Sequence, residues 1–253
     1  MRRAISKAEC RAVLCLACLL VCAATGRPAG GGDATPKIVC RTELAEARRL
    51  ELAAQLRAIT GWAGLRFDDE GALRFGDGEP RGGSASARAL LASAREGNDL
   101  IVIEDASGRA DVAFCRILEG RWKNGAAGRP AAHVLQVDFK DFSHVMGDEA
   151  ARAAFNAGWA VLHEVAHAVH DSADSDDPDE AGECEELINL MRRECGLAER
   201  AEYFFTPLPG TWHGKFKSRF VRLAFERRAE RRTKRYWLVW DAGLVGGLDR
   251  AAR

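Results

Sequence analysis

The sequence predicts an α+β fold, and three observations carry the prediction. Two stretches, 148–170 and 177–195, place apolar residues at helical spacing. Runs rich in branched and aromatic residues, such as 133–139 and 219–225, read as strands. The length of 253 residues suits one compact domain with a sizeable core.

The N-terminus reads as an export leader. Arg2, Arg3, Lys7 and Arg11 precede an apolar run, 12–24, and the small and breaking residues TGRPAGGG follow it. Thirteen apolar residues are too few to span a bilayer comfortably, and the flanks are those of a secretory signal peptide. Residues 1–26 are therefore expected to be a signal peptide and 27–39 a flexible linker, leaving the mature chain secreted or periplasmic without a transmembrane span. A lipid anchor on Cys18 or Cys22 is the alternative, although neither follows a convincing leucine-small-small box.

The remaining elements follow in order. Residues 43–59 place leucines and alanines at helical spacing, and 64–75 form a short hairpin around Asp69-Glu70-Gly71. A Gly/Ser loop leads to a helix over 84–95. Residues 100–104 and 111–118 read as strands joined through Ala106-Ser107-Gly108, a second hairpin. A strand over 133–139 precedes one long helix over 148–170, whose Asp148 and Glu149 suit the helix macrodipole. Asp177, Pro178 and Glu180 supply a cap, a first-turn proline and a capping-box partner for the next helix, which stops at Gly196. Strands over 202–206, 219–225 and 236–241 end the chain. Residues 40–206 are the core on this reading, and 207–253 are a β extension of the same domain.

Lys+Arg and Asp+Glu both number 37, so net charge gives no argument for nucleic acid, and none is expected as a partner. The charges are unevenly placed. Residues 171–186 hold nine acidic residues and no basic one, while 215–235 hold ten basic residues against Glu226 and Glu230. Two solvated stretches account for this; a calcium site in the acidic 171–180 loop and a basic surface for an anionic partner are the sharper alternatives. Of the cysteines outside the leader, Cys40, Cys115, Cys184 and Cys195 make an even set that suits two disulfides in an exported protein. Cys184 and Cys195 stand eleven residues apart on one helix, about 16 Å, and cannot bond each other.

Residues 163–167 read His-Glu-Val-Ala-His. On a helix His163 and His167 lie one turn apart on one face, so both imidazoles can bind one metal ion. Glu164 leans towards the same place, where a carboxylate can take a proton from a water that the metal has made acidic. The flanking Ala160, Val161, Leu162, Val165, Ala166, Ala168 and Val169 are uncharged, so this helix is built for burial while carrying polar groups that need partners. His170 shares the face, but one ion cannot reach three histidines spanning about 10 Å.

A hydrolytic zinc takes three protein ligands and keeps one position open. The helix after the acidic loop offers Glu185 first, then Glu183 and Glu186, with Asp174 the donor outside that helix. Gly182, Glu185, Asn189 and Arg192 share one stripe, so Asn189 and Arg192 can orient a ligand from behind, while Cys184, Leu187, Ile188, Met191 and Cys195 form the apolar stripe. Tyr203, His213 and Tyr236 are candidate donors to an oxyanion.

HEVAHAVH followed by a glutamate-bearing helix resembles the gluzincin group of zinc metallopeptidases. Asn189-x2-Arg192-x3-Gly196-Leu197-x2-Arg200-x2-Tyr203 is similar to compact zincins among secreted bacterial effectors and toxin tips. The likeness covers about 84–206, and it departs where Ile188 replaces a glutamate that often precedes the asparagine. The resemblance implies a zincin-like domain that hydrolyses protein or peptide substrates with one zinc per chain and Glu164 as general base. A peptide would add along the 133–139 strand. A catalytically inactive zinc-binding interaction module is the alternative. A purely structural zinc would want four ligands, and no cysteine stands at ligand spacing beside His163 in the sequence.

Overall fold

The computed structural model describes residues 37–120, 131–177, 181–208, 219–229 and 232–247. The expected export leader, with Cys18 and Cys22, lies outside the described residues, as do His213 and Pro178. In chain order the elements begin with β1 (Ile38–Cys40), α1 (Glu46–Thr60), β2 (Leu65–Phe67), β3 (Leu73–Phe75) and α2 (Ala85–Glu96). Next come β4 (Leu100–Asp105), β5 (Cys115–Leu118), β6 (Ala132–Val137), α3 (Phe139–Ser143), β7 (Met146–Gly147) and α4 (Glu149–Ala153). The chain continues with α5 (Ala157–His170), α6 (Gly182–Glu194), β8 (Glu199–Arg200), β9 (Thr206–Pro207), β10 (Phe220–Ala229) and β11 (Arg232–Asp241).

The class is α+β, with a mixed sheet on one side and a C-terminal hairpin on the other. The first sheet runs β1-β4-β6-β5, with β1, β4 and β6 parallel and β5 antiparallel at the edge. The second is built on the β10/β11 hairpin, flanked by β7, β8 and β9. One apolar cluster joins the first sheet to α1, α2, α5 and α6 through Leu56, Leu90, Ile103, Leu135, Leu162 and Ile188. Each such side chain contributes about 1.5–3 kcal/mol by leaving water. A second cluster packs Phe225, Leu238 and Trp240 against Ala151, Ala154 and Ala198.

Several sequence expectations need correction. Part of the expected linker is β1, whose Ile38 and Cys40 are buried against Ile101 and Ile103. β4 and β5 form no hairpin, because β6 inserts between them and β4 uses both its edges for parallel neighbours. β6 is therefore an interior strand, and among the described residues the unpaired edge beside α5 belongs to β5. The long helix over 148–170 is broken. Asn156 adopts an extended conformation and its side chain accepts from the Trp159 N–H, so it caps α5 and ends the continuity with α4. The strand expected over 202–206 is replaced by the short β8 and β9, each paired to β10.

None of the four cysteines is bonded to another, against the expected disulfides. Cys184 donates to the His163 carbonyl at 3.3 Å and Cys195 to that of Ile59 at 3.5 Å, which settles each thiol inside its own helix contact. The basic residues of the C-terminal hairpin, including Arg227, Arg228, Arg232 and Lys234, are exposed at its far end. Among the described residues no helix is long and apolar enough to cross a membrane.

Candidate metal centre

α5 brings His163 and His167 onto one face, their ring centroids 4.8 Å apart. The helix ends at Asp171, which takes the left-handed conformation (φ 52°) and donates its N–H to the His167 carbonyl at 3.0 Å. That turn folds the chain back over its own last turn. The Ser172 carbonyl then meets Nδ1 of His167 at 2.6 Å, which directs the other ring nitrogen, Nε2, outward as a ligand. Asp174 follows and places one carboxylate oxygen 3.1 Å from Nε2 of His163 and the other 3.5 Å from Nε2 of His167.

A β-bridge between Asp174 and Gly182 holds this loop against the start of α6. Gly182 has φ +75°, and a Cβ there would lie 2.5 Å from the Ser175 nitrogen, so the close approach needs glycine. Two residues on, Cys184 reaches the same point from α6. Donor atoms of His163, His167, Asp174 and Cys184 all lie within 4.8 Å of one another, and this group could hold a metal ion. An ion with bonds of about 2.0–2.3 Å sets tetrahedral donors roughly 3.3–3.6 Å apart, so the observed separations fit it with small closing movements.

The electrostatics point the same way. Hydrogen bonding to Asp174 raises the His167 imidazole to about 10. Burial opposes charge on His163, but Asp174, Cys184 and Glu185 together raise it well above the ordinary imidazole range. Burial likewise opposes ionisation of Asp174, yet the two imidazoles and the Tyr203 hydroxyl bring its carboxyl far below the usual range. The Tyr203 ring stacks on His163 at 6.2 Å. The Asp174 carboxylate and the two imidazoles thus favour each other's charged forms.

Glu185 stands elsewhere. Its side chain is 1 % exposed, with one oxygen 3.4 Å from Nδ1 of His163, on the ring side away from Asp174. Arg192 donates to one of its oxygens and Arg200 to the other at 3.0 Å. Asn189 accepts from Arg192 at 2.9 Å and from the Arg200 backbone N–H at 2.7 Å, which ties α6 to β8. Arg192 also donates to the Ala154 carbonyl at 3.0 Å, in the break between α4 and α5. Glu185 is therefore neutralised by two guanidinium groups and lies outside the four-donor group, a departure from its expected place as third ligand. Glu183 and Glu186 are exposed on α6, and His170 is exposed at the end of α5.

Glu164 is buried on the same turn of α5 as His163. Burial raises its carboxyl above the ordinary range against the pull of both imidazoles, and the Ile117 backbone N–H of β5 reaches it. It forms no ion pair with a lysine or arginine among the described residues. Glu164, His163 and Tyr203 share the wall of a cavity of about 190 Å³ whose other faces include Phe114, Cys115 and Trp159. Tyr236 lies on β11, paired with Phe225, outside that cavity. No second group of three potential ligands gathers among the described residues of the acidic loop, where calcium was the alternative.

The residues that sequence reasoning underweighted are Asp174, Cys184 and Arg200. Asp174 follows His167 by seven residues, a usable signal. Cys184 fell on the apolar stripe and so read as core or disulfide. Arg200 was part of the resemblance motif without a role. No protein-family model, no curated protein and no solved structure matches this chain.

Proposed function

We propose that this chain is an exported zinc-dependent peptidase whose ion is held by His163, His167 and Asp174, with Glu164 as general base. One observation carries the reading: a buried carboxylate with no lysine or arginine ion pair among the described residues stands beside two histidines whose outward nitrogens converge on an aspartate. A structural helix has no use for that carboxylate, since burying it costs free energy.

A zinc ion there would supply an acidic water and a Lewis acid for a peptide carbonyl. The protein's own part follows from the geometry. Glu164 takes the proton of the attacking water, a task suited to a carboxyl raised above its ordinary range, and returns it to the leaving amine. Glu185 anchors Nδ1 of His163 and the Ser172 carbonyl anchors Nδ1 of His167, so both imidazoles keep one orientation. The Tyr203 hydroxyl is spent on Asp174 and orients that carboxylate, which supports a positioning role over the oxyanion role. The edge of β5 that no described strand pairs runs past Glu164 and offers backbone groups to which an extended peptide can add as a further strand.

Glu164→Gln keeps the shape of the side chain and removes the base. Peptide hydrolysis by that variant should fall by at least a thousandfold while its zinc content stays at the wild-type level. Turnover within tenfold of wild type would sink the mechanism. A second reading, an inactive zinc-binding interaction module, is favoured by Cys184, because four protein donors make a closed set.

A further inference from the structure

We propose that Cys184 is a fourth ligand to the ion, so that the resting centre is closed and hydrolysis requires the thiolate to give way to water. This rests on the peptidase reading of the same centre. The first ground is position. Cys184 is 0 % exposed, sits in the first turn of α6, and is one of four side chains whose donor atoms converge within 4.8 Å. The second is chemistry. A thiolate is the soft donor that zinc prefers, and with two imidazoles and a carboxylate it completes a tetrahedral set.

The third ground is what else the thiol could do. Its hydrogen now goes to the His163 carbonyl at 3.3 Å, a weak bond whose acceptor belongs to the helix backbone. On coordination the sulfur–hydrogen bond breaks, the sulfur keeps the electron pair and binds the ion, and the proton leaves to solvent. A hydrolytic centre keeps one position for water, whereas a centre with four protein ligands keeps none. Cys184 therefore decides between the two.

Cobalt(II) loaded into the chelator-treated full chain reads the ligands directly. A near-ultraviolet thiolate-to-cobalt charge-transfer band, alongside the visible d–d bands of a tetrahedral ion, is the expected spectrum. Cys184→Ser should remove the charge-transfer band, retain cobalt, and hydrolyse peptides at least tenfold faster than wild type when loaded with zinc. Tetrahedral d–d bands without the charge-transfer band would overturn Cys184 as a ligand and leave the peptidase reading standing. A band that survives in Cys184→Ser would assign the thiolate elsewhere and overturn it equally. Loss of the band with no rise in turnover would overturn the closed resting state. Absence of any cobalt binding by the folded protein would overturn the metal centre itself.

Discussion

The candidate metal centre has two acidic walls that solve the same electrostatic problem differently. On the α6 wall Glu185 is fully buried and meets Arg192 and Arg200 within hydrogen-bond distance. Burial alone would raise its carboxyl, and those two cations instead hold it well below the usual range. On the loop wall Asp174 is 36 % exposed at its side chain and faces two imidazoles, the Tyr203 hydroxyl and the Cys184 thiol, with no arginine or lysine ion pair among the described residues. A carboxylate already matched by two guanidinium groups has little to offer a divalent ion. One matched only by imidazoles that titrate can exchange their protons for a metal. The wall that ties α6 to β8 and the wall that could hold an ion are thus different carboxylates.

The largest expected effect breaks the first wall. Glu185→Gln leaves Arg192 buried without its charge partner, which should cost about 3–5 kcal/mol. For a domain of this size that lowers the melting temperature by on the order of 10 °C. Calorimetry or denaturant unfolding of the metal-free protein measures it, and a loss below about 1 kcal/mol would show that the buried pairing is not what holds α6 to β8.

Another carboxylate on α6 gives the scale for a carboxylate held at the surface by neutral hydrogen-bond donors. Glu194 accepts from Ser84 Oγ at 2.5 Å and from the Ser86 hydroxyl and N–H at 2.9 and 3.0 Å, joining the end of α6 to the start of α2. Desolvation pushes its carboxyl up, but these hydrogen bonds bring it below the ordinary value. A depressed folded value means stability that is complete above the unfolded carboxyl pKa of about 4.3 and is lost as pH falls through the folded one. Because Glu194 is exposed, Glu194→Gln should cost only about 0.5–1 kcal/mol at pH 7. That gap should close on acidification below about pH 4; a gap that widens there would reverse the sign of the argument.

Helix faces were legible in the sequence and partners were not. Glu185, Asn189 and Arg192, expected on one stripe, are buried together, because a period of 3.6 determines which side chains share a face. It could not say that Arg200, past the turn at Gly196, would return to cover Glu185. Likewise His163 and His167 were readable as a pair from spacing alone. The position of Asp174 depends on a left-handed residue at Asp171 and a close approach at Gly182, neither of which a local pattern announces. The order of β4, β5 and β6 was missed for a related reason. Neighbours in the chain need not be neighbours in the sheet when a strand takes two parallel partners. Asn156 was the visible warning that α4 and α5 are separate, since asparagine is a strong cap and a poor interior helix residue.

The most direct measurement is a zinc titration of chelator-treated protein by calorimetry, wild type beside Asp174→Ala, with both shown to be folded by circular dichroism. Wild type should bind one ion per chain, and Asp174→Ala should lose at least a hundredfold in affinity without loss of fold. Wild-type affinity in Asp174→Ala, or no zinc bound by folded wild type, would contradict the proposed centre.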